Sequence, residues 1–166
     1  IMLFSTLYTS YIVLRTAAPS WPRGWEVLNV PLATLNTFIL IASSVTIVMA
    51  HAKTVERDRA AFMKYMGLTI LLSFCFLAVK GVEYGTKFHH GIFPAKSIFY
   101  AIYFTTTGLH AFHVICGIAW KLGLMAWCSK GGWDDPLFEG RIEYAGLYWH
   151  FVDIVWIFLF PALYLL

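Results

Sequence analysis

The sequence predicts an all-α, polytopic membrane protein: a single domain over residues 1–166 in which five transmembrane helices form one bundle. The first observation is composition, because 60% of the 166 residues are hydrophobic and only 13% are charged, with a mean hydropathy of +0.70. Soluble domains contain about 45–50% apolar and roughly 25% charged residues. The second observation is that the apolar residues form long runs with few charges. This composition excludes a disordered chain, and the small net charge of +3 excludes a nucleic-acid-binding surface.

The apolar runs predict helices in chain order at approximately residues 1–16, 31–52, 62–85, 96–127 and 141–166. A helix needs about 20 mostly apolar residues to cross the hydrocarbon of a bilayer. The last four runs reach or approach this length; Pro31 to Ala50, for example, contains no Asp, Glu, Lys or Arg. The first run begins at Ile1 without a basic region or a cleavage site, so it is predicted to be a transmembrane helix truncated at its N-terminus, not a signal peptide.

The segments between the runs have the composition of loops at a membrane surface. Residues 19–25 contain proline, glycine and two tryptophans, which suit the membrane–water interface. The connections between the second and third and between the fourth and fifth predicted helices hold seven basic residues: Lys53, Arg57, Arg59, Lys64, Lys121, Lys130 and Arg141. The connections on the other side of the membrane hold five basic residues: Arg15, Arg23, Lys80, Lys87 and Lys96. This small excess favours a cytoplasmic N-terminus and an external Leu166.

Ionisable side chains within the predicted helices are the candidates for function, because charge in lipid is costly. They are Lys80 and Glu83 in the third helix, His110 and His113 in the fourth, and Glu143, His150 and Asp153 in the fifth. Within each helix they lie three or seven residues apart, which places them near one face.

Three interpretations of these side chains stay open on the residues alone. His110 and His113 could ligate a metal or haem, although di-iron bundles use Glu-x-x-His on two helices and that spacing is absent. The carboxylates could form a proton or ion relay through the bundle. Alternatively, these groups hydrogen-bond between helices and fix their packing, together with Asn36, Ser43 and Ser44. The third interpretation leads on chemistry alone.

Two motifs give the chain a family resemblance. Residues 143–160 read EYAGLYWHFVDIVWIFLF, and residues 108–117 read GLHAFHVICG. The first strongly resembles the last helix of subunit III of the haem–copper terminal oxidases, with its Trp-His-Phe-Val-Asp-x-Val-Trp block. The second is similar to the preceding helix of that family, with Ala111 in place of a glycine. Glu83-Tyr84, Pro31 to Thr37 and Ser43-Ser44 also match, so the resemblance runs in order along nearly the whole chain.

The resemblance implies the short bacterial form of this subunit, with five helices instead of seven, in the bacterial plasma membrane. It implies a non-catalytic subunit of a proton-pumping cytochrome c or quinol oxidase, with no catalytic or metal site of its own. Haem and copper are then expected in the neighbouring subunit I. The expected partners are subunit I, other oxidase subunits and bound phospholipid, with no nucleic acid. The expected role is to stabilise subunit I and to support proton uptake.

The resemblance also assigns roles to residues. Those expected to maintain an interhelical polar network are Glu83, His110, His113, Glu143, His150 and Asp153. Those expected at helix-packing positions are Asn36, Ser43, Ser44, Gly108 and Gly117. A buried carboxylate of the family falls immediately before Ile1 and so outside the sequence. The alternative functions are an accessory subunit associated with nitric oxide reductases, or a small transporter or proton channel with Glu83, Glu143 and Asp153 on its pathway.

Overall fold

The computed structural model describes residues 2–18, 21–22, 24, 28–89 and 97–165, and this part of the chain contains helices and no strand. The long helices in chain order are α1 (Met2–Ala17), α2 (Val30–Val55), α3 (Arg59–His89), α4 (Ile98–Ser129) and α5 (Phe138–Phe160). A 3₁₀ turn, Gly132–Asp134, precedes α5, and a π-helical turn, Pro161–Leu165, continues it. The predicted all-α class is therefore confirmed.

Four of these helices are long and apolar enough to cross a membrane: α2, α3, α4, and α5 with its π-helical turn. Most of them extend a few residues beyond the predicted bounds, because an α-helix satisfies its own backbone hydrogen bonds and so continues past the apolar run. Helix α1 has 16 residues, fewer than a typical span needs. Its role as a fifth transmembrane helix, and its truncation, stay predictions.

Local signals in the sequence set where the helices begin. The Asn29 side chain accepts a hydrogen bond from the Leu32 amide at 3.2 Å, with a proline in the first turn of α2. The Ser97 hydroxyl accepts one from the Phe99 amide at 3.2 Å at the start of α4. These side chains replace the partners that the first helical amides lack.

The helices pack as a bundle around a core of large aromatic side chains. Helix α2 packs against α3 and α5, α4 packs against α3 and α5, and α1 lies against α4. Tyr11 on α1 donates a hydrogen bond to the Ala162 carbonyl at 2.6 Å, which ties α1 to the π-helical turn. Large apolar side chains cover the outer faces, as expected where a surface meets lipid or another membrane subunit.

Three lysines that are predicted to lie in the connections between helices lie inside the bundle. Lys80 and Lys87 belong to α3, Lys121 belongs to α4, and all three are buried. Their predicted position in the connections is wrong, because their long side chains reach carboxylate, hydroxyl or aromatic partners in the interior. They do not contribute surface charge, and the orientation of the chain in the membrane stays a prediction.

Some sequence predictions fall on residues outside the described part of the chain. Trp25, Arg23 and Lys96 are among these, as are residues 90–95 of the connection between the predicted helices at 62–85 and 96–127. Trp21, the other tryptophan of the first loop, packs edge-on against Tyr11 and Phe99 with ring centres 5.7 Å away in each case.

Candidate functional site

The densest polar group in the interior surrounds the Glu83 carboxylate near the end of α3. Lys80 donates to Glu83 Oε2 at 2.9 Å, and the hydroxyls of Tyr103 and Tyr164 donate to Oε1 at 2.8 and 2.7 Å. Lys80 also donates to the Tyr164 hydroxyl at 2.6 Å. We call Lys80, Glu83, Tyr103 and Tyr164 the Glu83 cluster. It joins α3, α4 and the π-helical turn.

The Glu83 cluster is closed off from the outside of the bundle. The side chains of Lys80 and Glu83 are 5% and 4% exposed, and Tyr103 and Tyr164 are fully buried. The Lys80 ammonium also lies 4.6 Å from the centre of the Trp156 ring, a cation–π contact. The carboxylate thus accepts hydrogen bonds from three donors, one of which is a positively charged ammonium, and this is what a buried carboxylate requires.

His110 occupies an aromatic box on the inner side of α4. Its ring centre lies 5.0 Å from that of Trp156, 5.7 Å from Phe76 and 6.5 Å from Phe4. The residue is 1% exposed, and neither ring nitrogen has a hydrogen-bond partner in the described structure. Three aromatic rings therefore pack around an imidazole whose two nitrogens have no described hydrogen-bond partner.

His113 lies in a different environment from His110, although it is only three residues away. Its Nδ1 donates to the Leu109 carbonyl of its own helix at 2.8 Å, and its ring packs edge-on against Phe4. The two imidazoles therefore do not share a ligand position. Within the described ranges, no group of three or more His, Cys, Asp or Glu side chains is arranged to hold a metal ion.

The three ionisable residues of α5 also occupy three different environments. Asp153 is 5% exposed and faces the interior, whereas His150 is half-buried, with Nδ1 2.6 Å from the Ser44 hydroxyl of α2. The Glu143 side chain is exposed, and its carboxylate makes no hydrogen bond or ion pair among the residues that the structure describes. The spacing of these residues predicts Glu143 near the same face of α5 as His150 and Asp153. That face lies at the edge of the buried side of the helix, where Glu143 is exposed, His150 is half-buried and Asp153 is buried.

Two indoles of α5 reach across to α2. The Trp149 Nε1–H donates to the Ser43 hydroxyl at 2.9 Å, and the Trp156 Nε1–H donates to the Thr37 hydroxyl at 3.0 Å. These hydrogen bonds satisfy the indole donors inside the bundle and fix the register between the two helices.

The three polar residues predicted at packing positions of α2 all lie at contacts with neighbouring helices. Asn36 is fully buried, and its Nδ2 donates to the Phe76 carbonyl of α3 at 3.4 Å. Ser43 accepts the indole hydrogen bond from Trp149, and Ser44 contacts His150. These residues therefore connect α2 with both α3 and α5.

The two motif glycines of α4 differ in what surrounds them. A Cβ atom at Gly117 would lie 2.9 Å from the nearest ring carbon of Trp149 and 3.2 Å from the Tyr148 ring, so this glycine allows α4 and α5 to approach closely. A Cβ atom at Gly108 would have no neighbour within 4 Å. Only one of the two predicted packing glycines therefore lies at a close helix–helix contact in the described structure.

Sequence reasoning missed several interior polar residues. Lys121 donates to the Ser73 hydroxyl at 3.0 Å and places its ammonium over the Trp149 ring, and Tyr103 and Tyr164 complete the Glu83 cluster. The position of Tyr103 near Glu83 could have been inferred, because consecutive antiparallel helices bring the end of α3 beside the start of α4. No comparable signal marked Lys121, whose sequence neighbours are apolar on both sides.

A groove of about 680 Å³ lies between α1 and α5 on the outside of the bundle. Its walls are largely apolar and aromatic, and they include Phe4, Tyr8, Phe151 and Phe158. His150 lies among these side chains. The groove could hold a long apolar chain, with His150 as a polar contact in its wall.

Replacing Glu143 by glutamine is expected to change the free energy of unfolding by less than about 0.5 kcal/mol, because the side chain is exposed and without a described partner. Denaturation of the purified chain by SDS in mixed micelles measures this change. A loss comparable to that of a buried residue would show that Glu143 has a structural partner.

Comparison with known proteins gives one consistent result. The model of the family described as cytochrome c oxidase subunit III matches residues 1–166. The chain is 32% identical to cytochrome c oxidase subunit 3 of Bacillus sp. (strain PS3), over 99% of this chain and 79% of the relative. It is 34% identical to cytochrome c oxidase subunit 3 of Synechocystis sp., over 99% and 70%. It is 32% identical to quinol oxidase subunit 3 of Bacillus subtilis, over 100% and 81%.

Proposed function

Because the chain belongs to the cytochrome c oxidase subunit III family, we propose that it is the non-catalytic subunit III of a proton-pumping haem–copper oxidase in a bacterial plasma membrane. In this role it packs against subunit I, which carries haem and copper, and contacts other oxidase subunits. It stabilises subunit I, holds phospholipid and supports proton uptake by the complex.

The observation that carries this proposal is the Glu83 cluster. Its lysine, glutamate and two tyrosines satisfy one another across three segments of the bundle, at distances of 2.6–2.9 Å. Side chains bonded in this way hold helices together, and their polar atoms are already engaged with one another. A bundle with a fixed interior and apolar outer faces suits a subunit that supports a neighbour.

The groove between α1 and α5 supports the lipid part of the proposal. Its volume of about 680 Å³ and its apolar, aromatic lining suit the acyl chain of a phospholipid. Exchange of the bound lipid for a spin-labelled or fluorescent phospholipid, with Phe158→Ala as a variant in the wall, would measure this binding.

Affinity purification of the tagged chain from its own membrane tests the main proposal. We expect a haem-bearing partner to purify with the chain, together with oxidase activity in the complex. Ion flux through the chain alone in liposomes would instead favour a transporter. Stoichiometric haem, iron or copper in the isolated chain would contradict a non-catalytic role.

His150→Ala is expected to weaken assembly of the complex and to leave the haem spectrum of the surviving complex unchanged. The substitution removes the contact between His150 and Ser44, which joins α5 to α2, and interhelical hydrogen bonds in membranes contribute roughly 0.6–2 kcal/mol. The yield of complex and its visible spectrum are the measurements, with His51→Ala near the end of α2 as the control. An altered haem spectrum would contradict this role.

A further inference from the structure

The bundle buries two carboxyl groups whose surroundings differ completely. Glu83 on α3 is 4% exposed and Asp153 on α5 is 5% exposed, so both are removed from the surface to the same degree. The Glu83 carboxylate accepts hydrogen bonds from Lys80, Tyr103 and Tyr164. Neither oxygen of Asp153 has a hydrogen-bond partner among the described residues, and no described cation forms an ion pair with it.

Asp153 also lies near the middle of a helix that is long enough to cross a membrane. The span runs from Phe138 to Leu165, so 15 of its 28 residues precede Asp153 and 12 follow it. A charge at this depth is costly unless a partner compensates it. A buried ionisable group without a partner is neutralised instead.

The buried ionisable side chains of α4 are engaged with groups other than Asp153. The Lys121 ammonium donates to the Ser73 hydroxyl at 3.0 Å and lies over the ring of Trp149. His110 is enclosed by aromatic rings, and neither of its nitrogens has a described hydrogen-bond partner. Helix α4 therefore supplies no described hydrogen bond or ion pair to hold an ionised carboxylate at Asp153.

The part of α2 that lies opposite Asp153 is uncharged. The Ser44 hydroxyl of α2 lies 2.6 Å from Nδ1 of His150. The Thr37 hydroxyl, two turns earlier on α2, accepts a hydrogen bond from the Trp156 indole. Because Asp153 lies between these two residues of α5, it faces the stretch of α2 between Thr37 and Ser44, which contains no ionisable side chain.

We propose that Asp153 is a proton-binding site in the middle of the bundle, a carboxylic acid that keeps its proton while Glu83 is ionised. A protonated carboxyl carries no charge and so needs no cation beside it. Surroundings that separate two titratable groups in this way make one of them the acid. Of these two carboxyls, Asp153 is therefore the one with a proton to donate. The proposal concerns the interior of this chain and does not depend on the proposed function.

Infrared spectroscopy of the purified full chain near neutral pH tests the proposal, because a carboxylic acid has a C=O band distinct from the bands of a carboxylate. A detergent without ester groups keeps added lipid esters out of this spectral region. We expect an acid band in the wild type that is lost in Asp153→Asn. Glu143→Gln, which removes an exposed carboxyl from the same helix, is the matched control and is expected to retain the band.

Lys121→Met separates the proposal from an ion pair between the two residues. We expect this variant to keep the acid band unchanged, because Lys121 does not compensate a charge on Asp153. A wild type without an acid band would overturn the proposal. A band that appears only in Lys121→Met would overturn it as well, since Lys121 would then hold the carboxyl in its ionised form.

Isotopic labelling of the aspartate side-chain carboxyls keeps the test decisive if Asp153→Asn does not fold. The other three aspartates, Asp58, Asp134 and Asp135, lie outside the helices that can span a membrane. We expect the label to shift the acid band of the wild type. An acid band that the label does not move belongs to another type of residue and would contradict the assignment to Asp153.

Discussion

Glu83→Leu is expected to reduce the free energy of unfolding by about 3–5 kcal/mol, the cost of breaking a buried ion pair by removing one partner. The substitution leaves the Lys80 ammonium buried without its carboxylate and removes the acceptor of the Tyr103 and Tyr164 hydroxyls. Three polar groups then lose a partner in the interior, where water does not replace it. SDS denaturation in mixed micelles, monitored by tryptophan fluorescence, measures the loss.

The chain contains a matched control for this substitution. Lys53 and Glu56 form an ion pair with the same three-residue spacing, at 2.5 Å, but their side chains are 26% and 58% exposed. Exposed pairs contribute about 0–1 kcal/mol, so Glu56→Leu is expected to have a small effect. Equal losses at the two positions would show that burial of the Glu83 cluster does not determine its contribution.

The helices were predictable because the apolar runs are long and the segments between them are polar. The pairing of Lys80 with Glu83 was also predictable, since residues three apart on a helix lie on one face. Both features depend on local sequence alone. Contacts between residues of one helix can therefore be inferred without knowledge of the other helices.

The face that each helix presents to the interior could not be predicted in the same way. In a membrane the lipid is as apolar as the core, so a hydrophobic side chain does not indicate which direction it faces. Lys121 illustrates the difficulty, because its charge suggested a loop while its side chain lies inside. Glu143 illustrates the converse, because its spacing predicts a position near His150 and Asp153 but its side chain is exposed. Partners on other helices depend on the packing of the whole bundle.

Gly117→Leu is expected to destabilise the chain by about 3 kcal/mol, at the upper end of the usual cost of overpacking a core. The new side chain would meet the Trp149 ring, which is fully buried and has little room to move. Displacing Trp149 would also disturb its hydrogen bond to Ser43 and its contact with Lys121. One substitution therefore affects contacts of α4 and α5 with each other and with α2.

Gly108→Leu is the matched control for this prediction, because it makes the same change in the same helix at a position with open space. We expect a change within about 0.5 kcal/mol, since a Cβ atom at this position meets no described atom and leucine favours the helix over glycine. SDS denaturation of both variants measures the difference. If the two variants lose stability equally, the cost arises from a feature common to both glycines, and the close approach of α4 to Trp149 is not its cause.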